Sequence, residues 1–443
     1  MSGGRWLVTA FCCDHIRGMS IRGNKGRIAS VGAGLLMLCT AVQAASETGW
    51  PSWRGPVYNG SILGGAFPTK LDANQPTWKA PLPGKGTSTP IVHGERVYLT
   101  SPSGGEDAVV AFDFTGKKVW ETKLGPETPP KHRSLASSGN ASPVTDGTNL
   151  FVYFKSGNFA ALSLEGKVTW KTNLVEAFGR EQLFWDQGTS PMLTDKHVVM
   201  ARMHSGESWI AGFDKGTGAL AWKESRNYSV PNENDNGYTT PVLFKADGKD
   251  ALLVWGADHL TAHDASNGKK LWELGGFNPK QTGYWPYIAS PVIVGDIAVI
   301  PVGRDDRGQA AVEGVKLGSA SATRLWRRDD TGVFVPSPAA HDGRVYLLRN
   351  RGEVACLDPA TGKTHWTGQL ADHRTPYYSS PTIAGGHLYA AREDGTVFVA
   401  KVGDKFEKVS ETAMNEQIIA SVVPAAGRLF IRTSSHLWCF GGN

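Results

Sequence analysis

The sequence predicts an all-β protein: an eight-bladed β-propeller of four-stranded antiparallel blades, with the ring closed by an amino-terminal strand that completes the last blade. Three observations carry this. Segments of the chain end alike, in AFDFTGKKVW (111–120), GFDKGTGALAW (212–222), AHDASNGKKLW (262–272) and CLDPATGKTHW (356–366). A second marker, a small or hydroxyl residue followed by Pro and then usually an aliphatic, recurs at Pro90, Pro143, Pro191, Pro241, Pro291, Pro338 and Pro381, with a weaker eighth copy, VVPA, at Pro424. The markers are 43 to 53 residues apart, the length of a unit of four short strands. The two ends of the chain are complementary. The last repeat stops after its third strand, HLWCF (436–440), and QPTWKAPL (75–82) is a fourth-strand sequence with no first three strands before it.

Each unit parses in the same order: a strand at the Pro marker, a tight turn such as HGE or HDG, an aliphatic strand such as RVYLT, a loop, a third strand ending near Asp, a Thr-Gly turn, and a fourth strand carrying Trp. The Asp side chain bonds turn amides and Gly accepts a positive φ, which suits a hairpin connection. The Trp, at 120, 170, 222, 272, 326 and 366, is a packing piece. Inner strands such as ALLVW (251–255) and IAVIPV (297–302) are apolar on both parities, as sheets covered on both faces require. A sandwich of many strands would alternate and show no repeat. GVKLGSASAT (314–323) reads as a longer turn in blade five, where the Asp/Thr-Gly rule lapses.

Residues 1–44 read as a signal peptide, with a basic stretch from Arg17 to Arg27, an apolar run from Ile28 to Val42 and a small-residue cleavage site, Val42-Gln43-Ala44. That run is too short to span a bilayer, so no transmembrane segment is expected. Either Met1 or Met19 serves as the start. Residues 45–74 form an amino-terminal extension and 75–443 the propeller. The product is expected to be exported, to the periplasm or beyond, and monomeric. The formal charge of +5 is misleading: the leader holds Arg5, Arg17, Arg22, Lys25 and Arg27 against Asp14 alone, leaving 41 basic and 40 acidic residues. A balance of +1 disfavours nucleic acid or an anionic membrane as main partner.

Cys356 and Cys439 are the cysteines left after the leader. They fall where other blades have Ala111, Ala161, Gly212, Ala262 and Ala400, a small-residue position in nonadjacent blades, so both are expected buried and unpaired.

The Asp-x-x-Thr-Gly-x-x-x-Trp turn together with the Ser-Pro strand resembles the repeat of the pyrroloquinoline quinone (PQQ) propeller superfamily. That superfamily includes quinoprotein dehydrogenases and noncatalytic propellers such as the barrel-assembly lipoprotein of the bacterial outer membrane. WPSWRGPVYNG (50–60) is similar to the start of exported PQQ-binding-like propeller proteins of planctomycetes and related bacteria. The resemblance implies the fold, and it leaves function to the site. A quinoprotein of the alcohol-oxidising type would hold PQQ with Ca²⁺, a carboxylate base, an Arg on the quinone oxygens and often adjacent cysteines. The adjacent pair here, Cys12-Cys13, lies in the leader, and there is no CxxCH haem motif. No catalytic residue and no metal site are assigned. NEND (232–235) and DDR (305–307) have oxygens for a hard cation, but read as solvated loop acids.

Connections from strand four to the next strand one, and from strand two to three, share one face, and unusual residues concentrate there. PPKHRSL (129–135), FWDQG (184–188), NENDNGY (232–238), GYWPYI (283–288) and DHRTPYY (372–378) supply aromatics among Arg, His, Asp and Asn. The candidate ligand-binding residues are Arg133, Trp185, Asp186, Trp285, Tyr287, Arg304, His373 and Tyr378. The expected function is a noncatalytic exported scaffold that binds a partner protein or ligand on this face, without a cofactor. The alternatives are a PQQ-dependent oxidoreductase and, third, a propeller that binds or acts on glycans. Trp50, Trp53 and Arg54 lie outside the blades and can fasten the extension to the ring, though WPSWRGP itself is expected at the surface.

Overall fold

A computed structural model describes residues 49–442; the expected leader lies outside the described residues. Eight four-stranded antiparallel sheets are present, each in sequence order except the last. Blade one is typical: strands Ile91–His93, Arg96–Ser103, Glu106–Asp113 and Lys118–Pro126. Blade eight comprises Val423–Ala425, Arg428–Arg432 and His436–Gly441, and its fourth strand is Trp78–Pro81 from the other end of the chain. The register pairs Trp78 with Cys439 and Pro81 with His436, which closes the ring as expected.

This register shows why each repeat needs a Trp and a small residue. Within blades, Trp120 sits opposite Ala111, Trp170 opposite Ala161, Trp222 opposite Gly212, Trp326 opposite Gly314 and Trp366 opposite Cys356. The indole lies across the small residue. A Cβ at Gly212 would come within 2.3 Å of Trp222. The same indole reaches the next blade: Trp78 Nε1 donates to Phe114 O (2.9 Å), Trp170 Nε1 to Lys215 O (2.7 Å) and Trp326 Nε1 to Pro359 O (2.8 Å). It also lies on that blade's turn glycine. A Cβ at Gly268, where φ is +78°, would stand 2.2 Å from Trp222. Asp, Gly and Trp are therefore one joint between neighbouring blades, with the Asp113 carboxylate holding the turn through the amides of Thr115 and Lys117. In blade five the turn is confined to Gly318–Ser321, and Gly314 is a strand residue, so the expected long turn at 314–323 is corrected.

The hydroxyl before each marker proline forms a belt round the channel. Thr89 N donates to Ser142 Oγ, Ser142 N to Ser190 Oγ, Ser190 N to Thr240 Oγ1, Thr240 N to Ser290 Oγ, Ser290 N to Ser337 Oγ and Ser337 N to Ser380 Oγ, at 2.9–3.1 Å. Ser421 N closes on Thr89 Oγ1 at 3.1 Å. The eighth marker is thus Ser421-Val422. Pro424, which the sequence suggested, lies inside the strand and pairs with Leu429.

Cys356 and Cys439 are free and fully buried, and burial pushes the thiols up to about 11 and about 12. A thiol titration is expected to find none in the native protein and two in denaturant without reductant; fewer than two in denatured monomer would contradict the register.

The extension departs from expectation. WPSWRGP is not at the surface: Trp50 is fully buried, and Ser52 and Arg54 are 3% and 6% exposed. Trp50 bridges Val92 of blade one, and the Arg54 guanidinium donates to Pro338 O of blade six (2.6 Å) and Pro381 O of blade seven (3.0 Å). These contacts lie on the first strands, toward the tight-turn face, so the segment plugs the channel on the side away from the long loops. Farther on, Thr69 O and Leu71 O accept hydrogen bonds from Ser410 and Thr412 on the outer strand of blade seven, which carries no Trp.

Candidate functional site

Three of the aromatic-rich connectors interlock into one ridge over the loop face. Phe184 N donates to Asn236 Oδ1 (3.3 Å) and Trp185 N to the Tyr238 hydroxyl (2.9 Å), tying FWDQG to NENDNGY. Tyr284 N reaches Asn232 O (2.7 Å), Trp285 N reaches Asn234 Oδ1 (2.9 Å), and Tyr238 N reaches Tyr287 O (2.7 Å), tying NENDNGY to GYWPYI. Asp258, 5% exposed, accepts from the Tyr287 hydroxyl and from the amides of Asn234 (3.4 Å) and Asn278 (3.3 Å). Glu233, Ala257, Asp258, Gln281 and Tyr284 all have φ between +50° and +65°. Left-handed backbone at non-glycine residues persists where surroundings over-determine it, and such strain clusters at functional surfaces.

The eight candidate residues divide by position. Arg133 and His373 are exposed, the former offering its carbonyl to Lys85 Nζ (2.8 Å) and the latter accepting Thr375 N at Nδ1 (3.1 Å). Trp185 is half-buried, its ring 4.0 Å from that of His132. Tyr378 is half-buried, with its hydroxyl pushed up by burial. Arg304 lies over the Phe334 ring at 4.2 Å and pairs with Asp306 at 2.6 Å.

Asp186, Trp285 and Tyr287 are buried. The Asp186 carboxylate pairs with Lys155 and accepts the backbone amides of Lys131 (2.9 Å) and His132 (3.3 Å), so it pins PPKHRSL against FWDQG. Trp285 forms one wall of a cleft of about 320 Å³ shared with Asn278, Lys280, Thr282, Gln309 and Arg327, and its indole donates to Gln309 Oε1 (3.1 Å). Two acids of NEND and DDR are not simply solvated: Asp235 is half-buried and accepts Asn236 Nδ2 at 3.0 Å, and Asp305 is half-buried and accepts Asn350 N at 2.6 Å. Among the described residues no group of three or more His, Cys, Asp or Glu is placed to hold a metal ion.

Two residues that the sequence reading did not single out are the most exposed aromatics of the ridge, Phe184 at 54% and Tyr284 at 50%. Each precedes a Trp. In each pair the Trp is the more buried member and its neighbour is left exposed; the doublets FW and YW were the available signal. Trp285→Ala is expected to destabilise the fold by about 3–5 kcal/mol, as loss of a packed Trp does, whereas Tyr284→Ala should stay within about 0.5 kcal/mol. Thermal melts of the two variants check this.

The face also carries a pH-sensitive element. His204, 3% exposed on the loop of blade three, accepts the amides of Gln182 (3.3 Å) and Gly206 (2.9 Å) at Nδ1, and burial, with Arg202 nearby, lowers it to about 4. His263, 1% exposed in blade four, is also lowered to about 4, chiefly by burial. Between pH 4 and the ordinary value of 6.5 the unfolded chain binds protons that the folded one does not. Stability from both is therefore full above about pH 6.5 and lost as pH falls toward 4. Asp107, raised to about 6 by burial, acts oppositely, since stability falls as pH rises from about 4 to 6. The two histidines, with acids held low such as Glu416 at about 2, outweigh the acids that burial raises, Asp107, Asp235 and Asp305, so the melting midpoint is expected to fall from pH 6.5 to 4, with His263 alone worth about 2–3 kcal/mol. His263→Gln should flatten the profile over this range.

The family model described as outer membrane protein assembly factor BamB matches residues 49–242 and 312–405. The outer membrane protein assembly factor BamB of Moranella endobia (strain PCIT) is 24% identical over 328 residues, 70% of this chain and 76% of that one. Among solved structures, BamB from Moraxella catarrhalis superposes with a TM-score of 0.58 at 16% identity, covering 83% of this chain and 99% of that one. Quinohemoprotein alcohol dehydrogenase from Comamonas testosteroni gives 0.63 at 13% identity, covering 90% and 81%. At such identities the structural likenesses establish the fold alone. The family model spans more than half of the sequence, and the chain belongs to the family of the outer membrane protein assembly factor BamB.

Proposed function

We propose that this chain is an exported, noncatalytic propeller scaffold that binds a partner protein through its loop-rich face, and that it serves in outer membrane protein assembly. The observation that carries this reading is the ridge of three interlocked connectors presenting Phe184 and Tyr284. Aromatic side chains on a rigid frame offer contact area at little ordering cost, which is what a protein-binding patch needs. The family's name for its relatives supplies the process. The cleft beside Trp285 is where the glycan or small-ligand alternative would act.

A quinoprotein dehydrogenase is the other reading, since such an enzyme shares the fold. Two observations weigh against it. Among the described residues no three His, Cys, Asp or Glu side chains gather where they could hold a metal ion. The cavity left between the hydroxyl belt and the plug, lined by Trp53, Arg54 and Tyr58 with Ser190, Thr240 and Ser290, is about 20 Å³, room for about one water. Titration of purified protein with PQQ and Ca²⁺, followed by absorbance and by dye reduction from alcohols or aldoses, is expected to show neither saturable binding nor turnover. Saturable binding with turnover in the ordinary range of about 1–10³ s⁻¹ would promote the enzyme reading.

A further inference from the structure

At the marker positions, where the first strands begin, the channel wall is poor in hydrogen-bond donors by sequence. Seven of the eight first strands begin at a proline, which has no N–H. Six of the residues preceding those prolines spend their amides on the belt. Carbonyls are left as unspent acceptors, and such a wall favours a cation with several donors.

Residues 50–62 meet this wall as an added peptide would. Trp50 exchanges both backbone bonds with Val92 (2.9 and 2.8 Å), Pro51 O accepts Thr145 N (3.0 Å), Asn59 O accepts Ala340 N (2.9 Å), and Gly60 O and Ile62 N pair with Ile383 (2.9 and 3.0 Å). Blades one, two, six and seven are thereby engaged by main-chain bonds, while Gly55 N to Ser52 O, Tyr58 N to Gly55 O and Gly60 N to Arg54 O fold the segment itself into successive turns. Arg54 supplies the cation, bonded to Pro338 O and Pro381 O and, among the described residues, to no carboxylate. Gly60 completes the cradle: φ is +76°, and a Cβ there would fall 2.0 Å from the Arg54 guanidinium. The segment then leaves through Leu63, Gly64 and Gly65, all exposed.

We propose that the propeller channel is a binding site for a turn-forming, arginine-bearing peptide, occupied in cis by residues 50–62 of this same chain.

The test uses the full chain with a protease site inserted at Gly64-Gly65, cut after folding. The amino-terminal fragment is expected to stay with the propeller on gel filtration and to exchange with an added fluorescent peptide of residues 49–63. The same peptide carrying Arg54→Ala should bind about a hundredfold more weakly, the scale for losing two bonds to a charged group. Equal affinity of the two peptides, or no exchange up to the temperature at which the propeller melts, overturns the proposal. Should the cut protein aggregate once the fragment leaves, the uncut Arg54→Ala chain decides. Millimolar methylguanidinium is expected to raise its melting midpoint saturably and to leave that of the unaltered chain unchanged. Equal shifts in both, or none in the variant, overturn it.

Discussion

Removal of residues 45–84 is expected to abolish the cooperative thermal transition. The cut takes away the strand Trp78–Pro81, whose four residues pair in register with His436–Cys439, and leaves the third strand of blade eight as a bare edge. It also removes the joint to blade one, where Trp78 Nε1 bonds Phe114 O and the ring covers Gly116. A further tie goes with it. Lys79 lies 4.0 Å over the Trp438 ring and pairs with Glu416, a carboxylate that Thr433, Ser435 and His436 also hold and that stays low, at about 2, despite partial burial. Trp78→Ala alone should cost about 3 kcal/mol, since the ring is only partly buried. That is a large share of the roughly 5–15 kcal/mol that holds a domain together. Thermal melts followed by circular dichroism check both. A midpoint for Trp78→Ala equal to that of the intact chain would mean that the ring closes some other way.

Removal of residues 45–70 is expected to keep a cooperative transition but to lower its midpoint far below that of the intact protein. Had WPSWRGP lain on the surface, this cut would be nearly silent. Instead it empties the channel of Trp50, fully buried, and Ile62, 1% exposed, together with the bonds that Arg54 makes across to blades six and seven. Losing a buried Trp costs about 3–5 kcal/mol, and the loss of Ile62 adds about 2–5. Trp50→Ala in the full chain isolates the first contribution. An unchanged midpoint for the shorter cut would place the segment back at the surface.

The repeat made the fold legible because it is periodic: the Asp, Gly and Trp offsets report a joint used again in blade after blade, and the orphan strand QPTWKAPL pointed to HLWCF before any coordinates. Cys356 and Cys439 were placed by the same alignment. The plug was misplaced because residues 50–62 occur once. Trp and Arg outside a period carry no signal for where they fall, and the carbonyl wall that receives Arg54 is visible only when the ring is assembled. Pro424 misled in the same way, as a proline near the right spacing but two residues past the marker-proline position, which Val422 holds.

The candidate residues show a different limit. Composition put aromatic and charged residues on the loop face, yet it did not say which point out. Asp186, Trp285 and Tyr287 are consumed in holding connectors to one another, through bonds between loops about 50 residues apart in sequence. Phe184 and Tyr284, their neighbours, are left free by that arrangement.

Site-specific photocrosslinking in cells tests the scaffold reading most directly. A benzoylphenylalanine placed at Phe184 or Tyr284 on the ridge is expected to give a discrete adduct with another protein, while the same group at Val119 or Leu325, exposed on the outer strands at 40% and 41%, gives none. Adducts from the outer strands alone, or none from the ridge in cells where the protein is folded and present, would contradict a partner bound through the loop face.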